Sequence, residues 1–480
     1  MAFLCETVKT SLSQLLADAP ALVLFHTYHP DIPVLTPSSP DYHTHHQEYN
    51  AYNAILPLAI IFPSNADQLI AAVKYCTSQR APVAITVRGG GHDAYGRNAL
   101  AGAVQIDFHL MKEITIQASD LKSSEDCIAA VDPGVTAIEL HRALDAAGRA
   151  APTGWVGTVG VTGWACGGGY GLEAGTWGLG VDGIVGARLV TPNGELVDTD
   201  DDPELLWAVR GAGLGNFGVI FELRLRTYRK PRYLAGMLAF PLHEGEKVLS
   251  GLQELSDKGQ VPANFSNELM VNTTELRPAI MFLFAWVCDG EDVTSGWAFL
   301  ARLKSLGTVV LDTIAETSIL QFHELLHQNP AVTARGYYTM HSLALPRLTP
   351  ELIKLVMDRP PPPGGTSAIL FHYARGRTLQ PNLAAAWANR DEHYIWTPCG
   401  FAELDANVEQ KDAAKRWSEE LYQAAVDAGL GLEKGYWSLS RPEHCDAVRF
   451  FGEDTVARLR KLKKKYNPQN ALPAALPVLV

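Results

Sequence analysis

The sequence predicts an α+β fold of more than one domain, and three observations predict it. The chain has 480 residues. At roughly 150 residues per domain that suggests two or three units. Hydrophobic residues make up 47% and charged residues 19%, a composition that buries a large core and is not disordered. Glycine-rich turns crowd between Arg88 and Gly218, where helical and strand-like patterns alternate. Beyond residue 228 the texture changes to strand-like runs and amphipathic helices with few glycines, which predicts an antiparallel sheet backed by helices.

The elements follow in order. Thr7 to Leu16 has the pattern of a short amphipathic helix. The apolar run Ile55 to Phe62 is broken by Pro57 and falls short of the ~18 residues a membrane span needs, so it is expected to be a buried strand. Asn65 to Gln79 is predicted as a helix, with Ser64 as its cap and Ile70, Ala72 and Val73 on its apolar stripe. Val83 to Arg88 is predicted as a strand that runs into Gly89-Gly90-Gly91-His92. Such a turn presents backbone N–H groups without side chains in the way, a nest suited to an anionic pyrophosphate. A helix is expected from Asp202-Pro203 and a strand over Val219 to Arg226. Further helices are expected over Glu244 to Leu255, Ser295 to Leu306 and Asp412 to Ala428, and strands over Ile280 to Val287 and Ala368 to Tyr373. Pro360 to Pro363 with Gly364-Gly365 is expected to be a surface loop. Asp454 to Tyr466 is predicted as a basic helix that stops at Asn467-Pro468.

Composition excludes several classes. Forty Lys+Arg against 52 Asp+Glu give a net charge of −12, which argues against nucleic-acid binding. The N-terminus lacks a basic n-region, and Glu6, Lys9, Asp18 and Pro20 interrupt any apolar h-region, so no secretion signal is expected. The seven cysteines are scattered without metal-type spacing. Reduced thiols and a cytoplasmic location, with no membrane partner, are the expectation. Asn264-Phe-Ser and Asn272-Thr-Thr are sequons expected to carry no sugar. There is no Gly-x-Ser-x-Gly elbow and no Walker loop, and no metal site is expected.

Three glycine loops remain. Gly213-Leu-Gly215-Asn-Phe-Gly218 matches the GxGxxG dinucleotide fingerprint literally, but that fingerprint requires strand, loop, then helix. Here the helix precedes and the strand follows, so the Rossmann reading is rejected. The longest loop runs from Gly154 through Gly157, Gly160, Gly163 and Gly167 to Gly171. That glycine density exceeds what turns need and points to backbone packed against a large flat ligand.

The ordered motifs Val87-Arg-Gly-Gly-Gly-His92-Asp, Gly157-Thr-Val-Gly-Val-Thr-Gly, Gly167-Gly-Gly-Tyr-Gly, Gly178-Leu-Gly-Val-Asp182, Asp202-Pro-Glu-Leu-Leu-Trp207 and Gly215-Asn-Phe-Gly-Val219 precede a tail of Phe450-Phe-Gly452 and Lys465-Tyr-Asn-Pro-Gln-Asn470. This series resembles the FAD-linked oxidoreductases of the vanillyl-alcohol oxidase superfamily, in the berberine bridge enzyme-like branch. It is similar to fungal secondary-metabolism oxidases and bacterial 6-hydroxynicotine oxidases. The resemblance implies a two-domain PCMH-type FAD-binding fold. Residues 1–228 would bind FAD, 229–434 would bind substrate on an antiparallel sheet, and 435–480 would return to the FAD domain.

The resemblance also implies residue roles. His92 matches the position that bonds covalently to the flavin 8α-methyl, a substituent that raises the flavin potential. Arg88, Gly89, Gly90, Gly91, Asp93, Val156, Gly157, Thr158, Val159, Gly160, Gly163, Trp164, Gly168, Tyr170, Gly171, Gly218, Val219 and Asn470 fall at cofactor-binding positions. Val156 stands where doubly linked relatives carry a cysteine, so the second link is absent and Cys166 is read as a buried thiol. Trp164 stands at a frequent histidine position. Together these favour an enclosed site and a small or apolar substrate. Val159 matches a position where a small side chain goes with oxygen access, which favours an oxidase. The usual Tyr-x-Asn-Tyr motif is here Tyr436-Trp-Ser-Leu439, and Tyr95 is one place later than the tyrosine relatives carry after His-Asp. The base is therefore left open among His372, Tyr436, Tyr95, Tyr394 and His341. Strand alternation puts Leu370, His372 and Ala374 on one face and Phe371, Tyr373 and Arg375 on the other. A base working near neutral pH is most easily a histidine.

The expected activity is oxidation of a small or polycyclic natural product by hydride transfer to flavin N5, with O2 as electron acceptor and H2O2 as product. Alcohol or amine oxidation, desaturation and oxidative cyclisation all remain open. The alternatives are a cyclase or isomerase that keeps flavin without net redox change, and a small-molecule binding protein with a relict cofactor.

Overall fold

The computed structural model describes residues 10–78, 82–118, 127–273, 278–288, 293–362, 366–432 and 434–479. Three sheets organise them. A four-stranded sheet has the order Val34–Leu35, Ala59–Ile61, Val104–Asp107, Ile85–Arg88, and its last two pairings are parallel. Parallel neighbours need a crossover, and the helix Ala66–Thr77 supplies one. Its Leu69, Ala72, Val73 and Cys76 share a core with Ile61, Ile85, Val104 and Ile106. The N-cap is Asn65, whose side chain accepts from the Gln68 N–H. The expected cap, Ser64, instead donates its hydroxyl to the Gln68 side chain. Of the apolar run from Ile55, only Ala59–Ile61 is strand.

A six-stranded sheet is built around Val219–Arg229, which pairs antiparallel with Cys127–Val131 on one side and Ile184–Val190 on the other. The helix Pro203–Ala212 leads into that strand, so the GxGxxG segment lies between helix and strand in the order that excludes a Rossmann turn.

The third sheet has nine antiparallel strands, with Tyr233–Pro241, Pro278–Val287, Phe265–Thr273, Ala368–Ala374, His393–Ala402 and Tyr337–Met340 adjacent in that order. The helices Gly245–Asp257, Thr294–Lys304, Pro350–Asp358 and Val408–Asp427 cover one face. Leu252, Leu303, Ile353 and Leu421 pack there with Phe282, Phe284, Phe371 and Trp396. The other face carries the residues of the cavity described below.

The C-terminal helix Glu453–Tyr466 returns to the Pro203–Ala212 helix. Arg458 makes a bidentate pair with Glu204 at 2.6 and 2.8 Å, and Lys465 donates to Asp202 at 2.7 Å. The N-terminal helix is Leu12–Asp18, capped by Ser11; the predicted start at Thr7 lies outside the described residues. Of the expected loop, residues 363–365 also lie outside them. No helix among the described residues is long and apolar enough to cross a membrane.

Candidate active site

Strand Ile85–Arg88 delivers Gly89-Gly90-Gly91 to the longer glycine loop, and the two interlock. A Cβ on Gly90 would lie 2.4 Å from the Gly160 nitrogen, and one on Gly160 would lie 2.6 Å from the Gly90 nitrogen. No side chain fits between these backbones. Gly91 adopts φ +69°, a left-handed conformation that glycine takes without steric cost. The two loops form part of the wall of a cavity of about 530 Å³, with Gly213 to Gly215 and the C-terminal segment Leu472 to Leu476 contributing. The Leu476 N–H bonds the Leu214 carbonyl at 2.9 Å, which ties that segment to the cavity.

His92 lies on the cavity wall. Its Nε2 meets Thr158 Oγ1 at 2.6 Å, and its ring stacks on Tyr49 at 4.0 Å between centroids. Burial, aided by the Arg88 charge, pushes its pKa down to about 3. The imidazole is therefore neutral in ordinary buffers, the form in which a ring nitrogen is a nucleophile.

The remaining cofactor positions divide into two groups. Gly89, Gly90, Gly91, Asp93, Val156, Val159, Gly160, Gly163, Trp164, Tyr170, Gly218 and Val219 line the cavity. Arg88 stands behind it: the guanidinium donates to the Gln47 carbonyl at 2.7 Å and faces the buried carboxylates of Glu48 and Asp107 at 3.8 and 3.5 Å. Its charge anchors the glycine turn from below. Gly157, Gly168 and Gly171 are also behind the wall, where close neighbours require their lack of a side chain. A Cβ would meet His327 at 2.8 Å, Trp387 at 2.6 Å and the Thr153 carbonyl at 2.1 Å respectively. Asn470 departs from the expectation. It is exposed, off the cavity wall, with φ 49°. It sits in the turn that follows the last helix, whose C-cap is Asn467, with its N–H on the Asn467 carbonyl, and asparagine tolerates the left-handed backbone there.

Opposite the glycine loops, the uncovered face of the large sheet brings Met237, Met270, Met281, Leu283, Met340 and Leu370 to the cavity. His372 is there too, on the face that alternation assigns to it. Its register partner on the neighbouring strand is Glu268. The Glu268 carboxylate, 1% exposed, is in direct contact with His372 Nδ1. Its second oxygen, Oε1, has no hydrogen-bond partner.

Two tyrosines flank this pair. The Tyr170 ring lies 5.8 Å from that of His372, and Tyr436 packs edge-on against Tyr170 at 4.8 Å. Tyr170 Oη is 2.8 Å from His393 Nε2, while His393 Nδ1 is 2.6 Å from the Asp391 carbonyl. A carbonyl only accepts, so Nδ1 carries the proton and Nε2 accepts from the Tyr170 hydroxyl. Burial lowers the His393 pKa to about 4, which keeps the ring neutral. Tyr170 therefore donates away from the cavity and keeps its lone pairs. Burial raises the Tyr436 pKa against the opposing effect of Ser438 and the backbone of Gly169 and Tyr170.

The other three candidate bases are not on the cavity wall. Tyr95 donates its hydroxyl to the Met340 carbonyl. Tyr394 is fully buried against Tyr373 on the helix-covered face. His341 stacks on Tyr422 at 5.0 Å. Sequence reasoning missed Glu268, the methionines and Trp387, which fills the space above Gly168 and Gly211.

The cavity fits FAD on its own terms: side-chain-free backbone that a Cβ would fill, a neutral imidazole, and an apolar face large enough for a ring system. Known proteins agree. A family described as "FAD binding domain" matches residues 57–200. The FAD-linked oxidoreductase aurO of Gibberella zeae is 31% identical over 444 residues, 92% of this chain and 84% of that protein. The (R)-6-hydroxynicotine oxidase of Paenarthrobacter nicotinovorans is 32% identical over 409 residues, 80% and 83% of the two chains. Among solved structures, 6-hydroxy-D-nicotine oxidase from Arthrobacter nicotinovorans superposes with a TM-score of 0.77 at 22% identity, covering 93% of this chain and 97% of that one. Interlocked glycine loops around an apolar cavity, with an imidazole on its wall, are thus seen in a chain that belongs to the FAD-linked oxidoreductases of the vanillyl-alcohol oxidase superfamily, berberine bridge enzyme-like branch.

Proposed function

We propose that this enzyme is an oxidase of a flat, largely apolar small molecule bearing a hydroxyl or amine, with FAD tethered once through His92. The reading divides the chain at residues 228/229 and 434/435 into an FAD domain, a substrate domain and a return segment. The observation that carries it is the His372–Glu268 pair facing the glycine loops across a wall of methionine and leucine.

Bound in the cavity, FAD would supply the hydride acceptor and the route for electrons to dioxygen. The protein supplies the rest. Glu268 accepts from His372 Nδ1, which leaves Nε2 as the basic nitrogen for a substrate proton. Tyr170, its own proton committed to His393, offers an acceptor that positions a substrate hydroxyl or N–H. The methionine side chains supply a soft, adaptable surface for a flat ring system and keep water out. Thr158 engages His92 Nε2, which leaves Nδ1 for the tether. Val156 supports a single link, and Val159 on the cavity wall leaves room for oxygen.

Hydroxylated polycyclic aromatics and hydroxylated N-heterocycles would be mixed with the holoenzyme without oxygen, and the yellow absorbance followed. Bleaching, then oxygen uptake and peroxide on readmission of air, is expected for a substrate. Turnover without bleaching or oxygen consumption sinks the oxidase reading.

A further inference from the structure

We propose that His141, Glu173 and His323 form a site for a divalent transition metal, zinc by its donor set, that fastens the glycine loop at Thr153 to Gly157 from behind. The three residues are far apart in sequence; His323 opens the string His323-Glu324-Leu325-Leu326-His327, but His327 is not in the cluster and Glu324 is paired with Arg142. His141 comes from the helix Ala137–Ala146 and His323 from the helix Ile319–His327. Glu173 sits in the turn before Ala174–Trp177. One potential ligand atom from each lies within 4.8 Å of the others. The two imidazoles are 4.0 Å apart between centroids.

Burial makes this cluster unusual. His141, Glu173 and His323 are 2%, 0% and 0% exposed. Neither carboxylate oxygen of Glu173 and neither nitrogen of His323 has a hydrogen-bond partner. The backbones of Thr153 and Trp155 approach them without forming hydrogen bonds of normal geometry. Nor does an ion pair resolve the cluster, since Glu173 is within 4.0 Å of no charged nitrogen among the described residues. The Tyr233 hydroxyl is also unpartnered; burial raises its pKa, and the nearby Glu173 adds to the effect. Buried polar groups are nearly always satisfied, and unsatisfied ones call for a bound water or ion. Two imidazoles and a carboxylate are a zinc donor set, with ligand distances of about 2.0–2.2 Å. Closing on an ion requires shifts of about 1 Å from the present spacing.

The surroundings are those of a structural site. His141 Nε2 already bonds Thr153 Oγ1 at 2.7 Å, the kind of second contact that orients a ligating histidine. One residue along each helix, Arg142 and Glu324 form a bidentate pair at 2.7 and 3.0 Å, so the helices are fixed relative to each other at the surface. Thr153 leads directly into Gly154, Trp155 and Val156 on the cavity wall. An ion here would brace the loop against the Ile319–His327 helix.

The test uses untagged holoenzyme incubated with zinc, dialysed into metal-free buffer and analysed for metal content. About one zinc per chain is expected. It should be lost in His323→Leu and Glu173→Gln, and retained in His243→Ala, an exposed control. The thermal midpoint of the wild type should rise with added zinc and fall with a chelator. Cobalt(II) in place of zinc should give visible bands beyond the flavin absorbance. Zinc content at background with no metal-dependent shift in the wild type overturns the proposal, as does equal zinc content in wild type and variants. Because the wild-type measurements decide by themselves, a variant that fails to fold does not rescue it.

Discussion

Replacing Glu268 by glutamine tests the proposed chemistry at its most specific point. The change keeps the side-chain volume and one acceptor oxygen but removes the charge. As His372 takes a proton, it becomes a cation against a carboxylate that is 1% exposed. Two unit charges about 3 Å apart attract by roughly 5 kcal/mol at an effective dielectric constant of about 20. The glutamine carbonyl recovers part of this, so a loss of about 2–4 kcal/mol is expected. At 1.36 kcal/mol per tenfold, that is about 30- to 1000-fold in the rate of flavin bleaching by substrate. Anaerobic stopped-flow absorbance measures it directly, and reduction by dithionite should be unchanged. His372→Gln should cost about 10²–10⁴-fold. The double variant should be no slower than His372→Gln alone, because Glu268 acts through the imidazole. A Glu268→Gln rate within about threefold of wild type, or additive effects in the double variant, would refute the reasoning.

Three further outcomes are expected. His92→Ala should give an acid-precipitated pellet without colour while the native protein still binds FAD; Thr158→Val should slow tether formation without abolishing it, and both are read from pellet absorbance. Gly90→Ala places a methyl 2.4 Å from the Gly160 nitrogen, so the loops must part at a cost of about 2–3 kcal/mol, and the ratio of flavin to protein absorbance should collapse. Burial raises the Asp202 pKa, but hydrogen bonds from Lys465, Tyr466 and the Leu205 N–H outweigh it and bring the value down to about 2. Because the folded value lies below the unfolded one, the stabilisation is present above about pH 4 and is lost as pH falls toward 2. Asp202→Asn should lower stability by about 1 kcal/mol at pH 7 once solvent screening is allowed for, and the difference should shrink in acid, as denaturant melts at both pH values will show.

The glycine loops were legible because their information is negative. A missing side chain at Gly90 and Gly160 means backbone must pass backbone, and that constraint is local to each loop. The reversed helix–strand order around Gly213 to Gly218 was legible for the same reason, and so was the face of the strand that carries His372. What sits opposite His372 was not, because register across antiparallel strands joins residues distant in the chain. Glu268 precedes its partner by 104 positions, and no local pattern marks a carboxylate as the mate of an imidazole. Asn470 carries the matching motif, yet it stands exposed in the turn after the last helix and off the cavity wall.

The substrate wall was hidden by a different effect. Where one side of a sheet faces water, polar alternation reveals the faces; here both sides are apolar, and the strands read as continuous hydrophobic runs. In Pro278–Val287, Ile280, Phe282 and Phe284 pack under helices, while Met281 and Leu283 face away from them. The neighbouring strand repeats this, with Leu269 and Val271 inward and Met270 on the cavity. Both sets are hydrophobic, and the difference lies in kind: branched and aromatic side chains fill the permanent core, and thioethers line the space that must admit a ligand. A core gains from shapes with few rotamers, whereas a wall that closes on a guest gains from side chains that re-pack at little cost. On that logic Met281→Phe should narrow the range of accepted substrates and raise KM for the bulkiest while stability changes little, and Phe282→Met should lower stability by about 1 kcal/mol and leave substrate selection intact. If the two exchanges act alike, the division of the sheet into a core face and a guest face is wrong.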